Sequence, residues 1–318
     1  MSYDMTKMDF AAWEFYINLT KKNKRKIMFN PFYSKKKFVK ERYKAFLGVD
    51  LDLNNLNTFD EKINGYKLND ELMKKLSRYA NKHYVKEYVK EKIGSEHIIK
   101  EYFYKHRIEV DDLKKLPKQF VLKTTLGSGT NFIVKDKNKV DLQKVCDYMN
   151  YLVKIEYGYI HGEFLYNYDK NGIIAEELLI DKKNNIPDDL KCFCFQDNNG
   201  KKRKILYVER VIGDERERIM FDENWNTVDY NSNFKKLNDK IPKPENLKEI
   251  LNVIDKLSED FNFVRVDLFI FNKKVYFGEL TFTPTAGYLK FDNPEHNLLW
   301  GSWIGNNKEK TIKEIKGE

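Results

Sequence analysis

Two stretches near the C-terminus decide the fold, Val264-Arg265-Val266-Asp267-Leu268-Phe269 and Gly278-Glu279-Leu280-Thr281-Phe282-Thr283-Pro284. Each alternates as a β-strand does, so Arg265 shares a face with Asp267, and Glu279 shares a face with Thr281. If three residues connect the strands, Asp267 and Glu279 lie directly opposite each other; a two-residue connection shifts the register by one and separates them. Two carboxylates held that close need a cation between them, and such oxygen ligands suit Mg²⁺.

The same pair of strands is also typical of a solvated hairpin with ordinary surface charges. The surroundings argue against that reading, because unpaired charges are costly in an apolar setting. Five aromatic residues lie close to the two strands: Phe261, Phe263, Phe269, Phe277 and Phe282.

A second signal runs from Phe120 to Asn131, where Lys123 ends an apolar strand and Gly127-Ser128-Gly129 follows. Small residues leave backbone N–H groups open to phosphates, and a lysine on the preceding strand can reach the same phosphates. A plain hairpin turn is the alternative. The loop is not a P-loop, because the G-K-[ST] ending is missing.

The third signal is Ile173-Ile174-Ala175-Glu176-Glu177-Leu178-Leu179. An apolar run that ends in two glutamates is typical of a buried strand emerging into solvent. It is also the pattern of a hinge strand whose backbone meets the edge of an adenine.

In this chain order the three signals resemble an ATP-grasp core. More narrowly, the chain resembles the TupA-like ATP-grasp family of bacterial surface-polysaccharide loci, from about residue 46 to 303. The stretches that carry the resemblance are Thr58-Phe59-Asp60-Glu61-Lys62-Ile63, Leu116-Pro117-Lys118-Gln119-Phe120-Val121-Leu122-Lys123, Lys191-Cys192-Phe193-Cys194-Phe195, and Phe277-Gly278-Glu279-Leu280-Thr281-Phe282-Thr283-Pro284.

The resemblance implies a role for each candidate residue. Asp267, Glu279 and Thr281 would bind Mg²⁺, although ATP-grasp enzymes usually have Asn at the third position. Arg265 would stabilise charge on the reacting group. The residues implied to bind ATP are Lys82 and Lys123 for the phosphates, Gly127, Ser128, Gly129 and Thr130 as the loop over them, Glu176, Glu177, Leu178 and Leu179 for adenine, and Asp189 for the ribose.

Two departures from the family pattern concern the loop and the acceptor pocket. The family's loop commonly reads H-G-S-G-G-N, whereas residues 126–131 here read L-G-S-G-T-N. After Pro284 this chain has Thr285-Ala286-Gly287 where the family has a run of glycines, so the resemblance does not identify the acceptor substrate. Arg218 is the candidate for a substrate-anion contact, with an ordinary surface arginine as the alternative.

The predicted fold class is α/β (α+β), an ATP-grasp fold with two α+β subdomains that clamp ATP. A mostly helical region would span residues 1–60 and a pre-ATP-grasp segment residues 61–115. The core would span 116–305, with a lid subdomain at about 116–175 and a metal-binding, catalytic subdomain at about 176–305. A polar, frayed tail would occupy 306–318. One helical period covers Asp70 to Ile93.

The implied activity is that of an ATP-dependent carboxylate–amine ligase in capsular or surface polysaccharide biosynthesis. ATP would phosphorylate the carboxylate of a uronic acid, and a small amine or amino acid would then displace phosphate. An ATP-grasp kinase is the alternative, and association or fusion with a glycosyltransferase is a further implication. A basic nucleic-acid-binding protein is the third hypothesis, which the lack of basic stripes and stacking platforms disfavours.

Composition restricts these hypotheses only weakly. The chain has 58 Lys and Arg against 49 Asp and Glu, and the excess is interpreted as scattered apart from runs at Lys21–Lys26 and Lys35–Arg42. Cys146, Cys192 and Cys194 lack the spacing of a zinc site and indicate buried thiols. No run is apolar enough for a membrane span, and Phe10–Ile17 is more typical of a docking helix than of an anchor. A cytoplasmic protein is expected.

Overall fold

The computed structural model describes residues 8–181, 186–212, 215–230, 235–237 and 240–306, together with 312, 313 and 315. Ten α-helices lie within these residues: α1 (Phe10–Phe29), α2 (Lys35–Leu47), α3 (Phe59–Tyr66), α4 (Asp70–Ala80), α5 (Val85–Ile93), α6 (Val110–Lys114), α7 (Leu142–Leu152), α8 (Gly158–His161), α9 (Leu247–Ser258) and α10 (Pro294–Ser302). Eleven strands accompany them: β1 (Glu101–Lys105), β2 (Phe120–Thr124), β3 (Phe132–Val134), β4 (Ile173–Glu176), β5 (Asp189–Gln196), β6 (Lys202–Ile212), β7 (Glu215–Phe221), β8 (Thr227–Val228), β9 (Lys235–Lys236), β10 (Phe263–Phe271) and β11 (Lys274–Thr281).

The strands form two separate sheets. The first sheet has four strands in the order β1-β4-β2-β3, all antiparallel. The second sheet has seven strands, with β11-β10-β5-β6-β7-β8 in line and β9 parallel to β7. Helices and mainly antiparallel sheets together confirm the α+β class, and α1 and α2 confirm the helical start.

Side chains alternate between the two faces along each strand, so each sheet has an apolar face that packs against helices. On β10, Val264, Val266 and Leu268 point into a core that they share with α4, α5 and α9. The first sheet packs against α7 and against Trp13 and Ile17 of α1. The second face of β10 is therefore left for the polar residues Arg265 and Asp267.

The predicted continuous helix from Asp70 to Ile93 is wrong, because it is broken at Asn81. The Asn81 backbone is extended (φ −81°, ψ 117°), and its side-chain oxygen accepts the N–H of His83 at 3.0 Å. An asparagine side chain that bonds nearby N–H groups competes with the helix ladder. The break frees the N–H of Lys82, which donates to the carbonyl of Thr125 at 3.0 Å. Lys82 is thereby placed beside the loop that follows β2.

Part of the C-terminal tail packs on the core. Ile312 is buried, and the hydroxyl of Tyr79 donates to the carbonyl of Lys313 at 2.8 Å. The predicted fraying is thus wrong at these two positions, while residues 307–311, 314 and 316–318 lie outside the described residues. The three cysteines are free and buried, as expected. No helix in the described part of the chain is long and apolar enough to cross a membrane.

Candidate active site

The strand pair β10–β11 brings Asp267 and Glu279 directly opposite each other. The connection between the strands has only two residues, Asn272 and Lys273, and both have positive φ (51° and 62°), as a tight hairpin turn requires. A regular ladder from this turn would place Gly278 opposite Asp267 and send Glu279 to the apolar face. The sequence condition of a three-residue connection is therefore not met, yet the two carboxylates still meet.

A β-bulge restores the pairing. The register shifts between Asp267 and Leu268, so Leu268 pairs with Phe277 and Asp267 pairs with Glu279, which leaves Gly278 as the extra residue. A bulge that inserts one residue reverses the alternation beyond it. Phe277 and Leu280 both enter the apolar core as a result, while Glu279 turns to the polar face.

Arg265 stabilises the two facing carboxylates. Its Nε and Nη2 bind the two oxygens of Asp267 at 2.7 Å each, and Nη2 also lies 3.0 Å from Glu279 Oε1. Lys191 Nζ donates to Asp267 Oδ2 at 2.9 Å. Burial opposes charge on Asp267, but Arg265 and Lys191 outweigh it and lower the pKa of this carboxyl. Asp267 is therefore held ionised directly opposite Glu279.

The donor set fits Mg²⁺. The Thr281 hydroxyl lies 3.0 Å from the same Glu279 oxygen, so two carboxylates and one hydroxyl present oxygen atoms on one face. Within the described ranges, no group of three or more His, Cys, Asp and Glu residues forms a metal cluster. Mg²⁺ is commonly bound by one or two carboxylates, with phosphate oxygens and water as the other ligands. This pair of carboxylates suits that kind of site.

Lys82 joins the loop after β2 to the β10–β11 face. Its Nζ donates to the carbonyl of Gly127 at 2.7 Å and lies 4.0 Å from Glu279 Oε2. Burial lowers the pKa of Lys82 most, and nearby Lys123 lowers it further, while Glu279 opposes both. Two partly buried lysines that repel each other beside a small-residue loop form a setting in which an anionic group would be stabilised.

The loop itself is a seven-residue connection between β2 and β3, so the hairpin reading and the phosphate reading are both compatible with its course. Its base is anchored, because the hydroxyls of Thr124 and Thr130 bond each other and the N–H of Leu126 donates to Asn171 Oδ1 at 3.1 Å. Its apex, Ser128 and Gly129, is exposed. The apex is therefore accessible from solvent while the base is held in place.

Glu176 is fully enclosed and bonds two lysines. Its oxygens lie 2.8 Å from Lys123 Nζ and 2.5 Å from Lys86 Nζ, and Lys86 also binds Glu101 at 2.6 Å. These cations lower the pKa of Glu176 to about 2 despite its burial. The side chain of Glu176 thus positions Lys123. An adenine contact from this segment would use backbone, and the Glu177 N–H already donates to the Lys100 carbonyl at 2.9 Å.

Asp189 and Arg218 lie further along the same face of the second sheet. Asp189 is on β5 and accepts from Lys191 Nζ at 2.9 Å. Arg218 is on β7, ion-paired with Glu209, and its guanidinium lies 4.8 Å from the centre of the Tyr207 ring. The alternative of an ordinary surface arginine is therefore wrong, because only 9% of the Arg218 side chain is exposed.

The segment in place of the family's glycine run is strained. Thr285, Ala286 and Gly287 all have positive φ (52°, 52° and 72°), which costs energy at the two residues with a Cβ. Buried side chains hold their carbonyls: Lys67 Nζ lies 2.5 Å from the Ala286 oxygen, and Asn64 Nδ2 lies 2.7 Å from the Gly287 oxygen. This segment therefore has a fixed shape next to Thr283, where the acceptor was predicted to bind.

A comparison of the sequence with protein families identifies the family of this chain. The model of the family described as TupA-like ATPgrasp matches residues 61–305, more than three quarters of the chain. The chain belongs to the TupA-like ATP-grasp family. The resemblance noted in the sequence is confirmed, and so is the predicted ATP-grasp fold.

Among solved structures, several ligases of this fold are similar at low identity. D-alanyl-alanine synthetase A from Vibrio cholerae is 12% identical with a TM-score of 0.43, over 79% of this chain and 67% of that one. The ATP complex of D-alanine–D-alanine ligase from Bacillus anthracis is 14% identical with a TM-score of 0.37, over 81% and 70%. N5-carboxyaminoimidazole ribonucleotide synthetase from Thermotoga maritima is 13% identical with a TM-score of 0.33; the match covers 64% of this chain and only 41% of that protein. No curated protein matches the sequence.

Four residues of this TupA-like ATP-grasp site were missed by the sequence interpretation. Lys86 and Lys191 position Glu176 and Asp267, and Lys67 supports the strained segment. Tyr207 lies fully buried beside Arg218, and its hydroxyl has no hydrogen-bond partner among the described residues. Only Lys191 had a signal, because it alternates with the apolar Leu190 and Cys192 on a strand. The others depend on contacts between distant segments.

Gly278→Ala is expected to destabilise the protein by about 1–3 kcal/mol. A Cβ at this position would lie 2.9 Å from the carbonyl oxygen of Asp267 and 3.3 Å from the ring of Phe269. The backbone oxygen cannot rotate away as a flexible side chain could, so the bulge must shift. Urea unfolding followed by circular dichroism measures the change in the free energy of unfolding.

Deletion of Gly278 is the matched control. Removing the extra residue leaves Phe277 opposite Leu268 and Glu279 opposite Asp267, each on its present face. We therefore expect the deletion to unfold at a higher urea concentration than a variant with Gly278 retained and one residue inserted after Lys273. If the deletion is the less stable of the two, the bulge is not what sets the register.

Proposed function

We propose that this chain is an ATP-dependent ligase that activates a carboxylate by phosphorylation and joins it to an amine. The observation that carries the proposal is the position of Lys82, which bonds the small-residue loop and lies 4.0 Å from Glu279. A cation at that point links a phosphate-binding loop to a metal-binding strand pair, as transfer of a phosphoryl group from a nucleotide requires.

The proposed role of each residue in the site follows from the charge of its side chain. Lys82 and Lys123 would hold the phosphates under the loop Gly127–Thr130, and the segment Glu176–Leu179 with Asp189 would hold the adenosine. Asp267, Glu279 and Thr281 would bind Mg²⁺, which supplies charge neutralisation on the phosphates when bound. Arg265 would stabilise negative charge as the carboxylate reacts.

In the proposed reaction a carboxylate oxygen bonds to the γ-phosphorus of ATP and ADP leaves. The amine nitrogen then bonds to the activated carbonyl carbon, loses a proton and releases phosphate. The products are an amide, ADP and phosphate. This chemistry needs no covalent nucleophile from the protein, only positioning and charge stabilisation.

The proposed substrates are a uronic-acid carboxylate on a sugar nucleotide or glycan and a small amine or amino acid. Arg218 supports a contact with the anionic substrate, because it is buried on the same sheet face as Arg265 and Asp267. We further propose a role in capsular or surface polysaccharide biosynthesis, in the cytoplasm and beside a glycosyltransferase. The three buried free thiols agree with a reducing compartment.

The test is release of ADP with a panel of uronates and amines, followed by mass spectrometry of the products. An amide that forms only when ATP, Mg²⁺, uronate and amine are all present supports the ligase. A product that carries phosphate and no amine would overturn the amide-forming step and establish a kinase instead. Absence of ADP release with every pair, together with no thermal stabilisation by Mg-ATP, would refute the use of ATP.

A further inference from the structure

The net positive charge of this protein arises in the segment that spans its first two helices. Residues 10–47, which span α1 and α2, contain 11 of the 58 Lys and Arg residues but only two of the 49 Asp and Glu residues. This segment therefore carries a formal charge of +9, and the remainder of the chain has 47 residues of each sign. The interpretation of a scattered positive charge was wrong, because the two runs that it excepted, Lys21–Lys26 and Lys35–Arg42, account for the whole excess.

Helix α1 carries basic residues on a different face from the one that packs on the core. Its inner face places Trp13 and Ile17 in the core beside α7. Its outer stripe, at helical spacing, runs through Lys21, Lys22 and Arg25, which are all exposed. The basic stripe therefore faces solvent, and the expectation that the chain lacks a basic stripe is wrong.

The stripe ends in an apolar tip, which we define as Met28, Phe29 and Phe32. The exposed fractions are 57%, 75% and 86%, so none of the three contributes much to the core. Exposed lysines follow the tip along the chain at Lys36 and Lys37, at the start of α2. Large apolar side chains grouped on a surface and bordered by one sign of charge mark an interaction site.

We propose that the apolar tip and its flanking lysines dock on an anionic lipid bilayer surface. The basic stripe calls for a negatively charged partner. The side chains of the apolar tip call for a partner that also offers apolar surface. The interface of an anionic bilayer supplies both, since lipid headgroups attract lysines while the acyl boundary takes up Phe and Met side chains. A nucleic-acid duplex would satisfy the charge and leave the tip in water, because its bases are stacked inside it. This inference does not rest on the proposed reaction.

The test is co-sedimentation of the full chain with vesicles of phosphatidylcholine, with or without about 30% phosphatidylglycerol. We expect binding only to the anionic vesicles and weaker binding at high salt. The variant Lys21→Gln/Lys22→Gln/Arg25→Gln should bind on the order of a hundredfold more weakly. The variant Phe29→Ser/Phe32→Ser should bind about tenfold more weakly or worse, because its charge is unchanged but its apolar contact is lost.

The matched control for charge is Lys248→Gln/Lys273→Gln/Lys274→Gln, which removes three exposed lysines elsewhere. It should bind as the unchanged protein does, because docking is confined to the tip. Equal weakening by the control triple and the α1 triple would overturn the proposal, since net charge alone would then govern binding. Full binding by the serine variant would overturn it as well, and would establish a purely electrostatic surface. No binding to anionic vesicles would refute it directly.

Discussion

Glu279→Ala is expected to reduce ATP turnover by at least about a thousandfold while the fold stays intact. The carboxylate faces Asp267, accepts from the Thr281 hydroxyl and lies 4.0 Å from Lys82 Nζ, so its loss would remove one of the two carboxylates proposed to bind the metal. A third of the side chain is exposed, so its truncation leaves no buried cavity. The measurements are the rate of ADP release and the thermal shift caused by Mg-ATP.

The control for Glu279 is Glu245→Ala, which removes a carboxylate that is 81% exposed and ion-paired with Lys273. It should leave both the rate and the thermal shift unchanged. A Glu279→Ala protein that turns over ATP within about tenfold of the unchanged rate would refute the metal assignment, since the lost contacts would then not act in the reaction.

Glu176→Gln is expected to lower the free energy of unfolding by about 3–5 kcal/mol. The carboxylate is 4% exposed and binds both Lys123 and Lys86, so the neutral amide removes the carboxylate partner of Lys123 and leaves Lys86 with Glu101 alone. Glu177→Gln is the matched control, because the neighbouring carboxylate is exposed. Urea unfolding at pH 7 compares the two variants, and equal stability would show that the buried cluster does not need its anion.

The same residue should govern part of the acid unfolding. The lysines lower the pKa of Glu176 from 4.5 to about 2, so between these values the unfolded chain binds the proton that the folded chain does not. The stabilisation, about 3 kcal/mol, is therefore present above about pH 4.5 and is lost as the pH falls toward 2. Unfolding free energies measured from pH 6 to 2 should fall less steeply for Glu176→Gln than for Glu177→Gln.

Local patterns predicted much of this fold. Strand alternation placed Arg265 with Asp267 and Glu279 with Thr281, because side-chain period is a property of the strand itself. The register between the strands was not predictable in the same way. A two-residue turn alone separates the carboxylates, and the bulge at Gly278 that reunites them depends on which side chains the core accepts.

Other features that the sequence did not predict also depend on contacts between distant segments. The helical period from Asp70 to Ile93 is real, but Asn81 interrupts it with a side-chain hydrogen bond and the Lys82 N–H bonds Thr125, more than 40 residues away. Lys67 and Lys86 were not among the predicted site residues, and lysine is seldom buried. Their acceptors come from segments far along the chain, and no local pattern shows such contacts.

The sequence by itself determined the α+β class, the family, the residues that share a face on each of β10 and β11, and the excess of charge in residues 10–47, because alternation, motif and composition are local properties. Only the tertiary structure decided that Lys82 reaches both the loop and Glu279, that Arg218 is buried, and that the tip of α1 and α2 is exposed. These three features depend on contacts between segments that are distant in sequence. Such contacts form only when the whole core packs and excludes water.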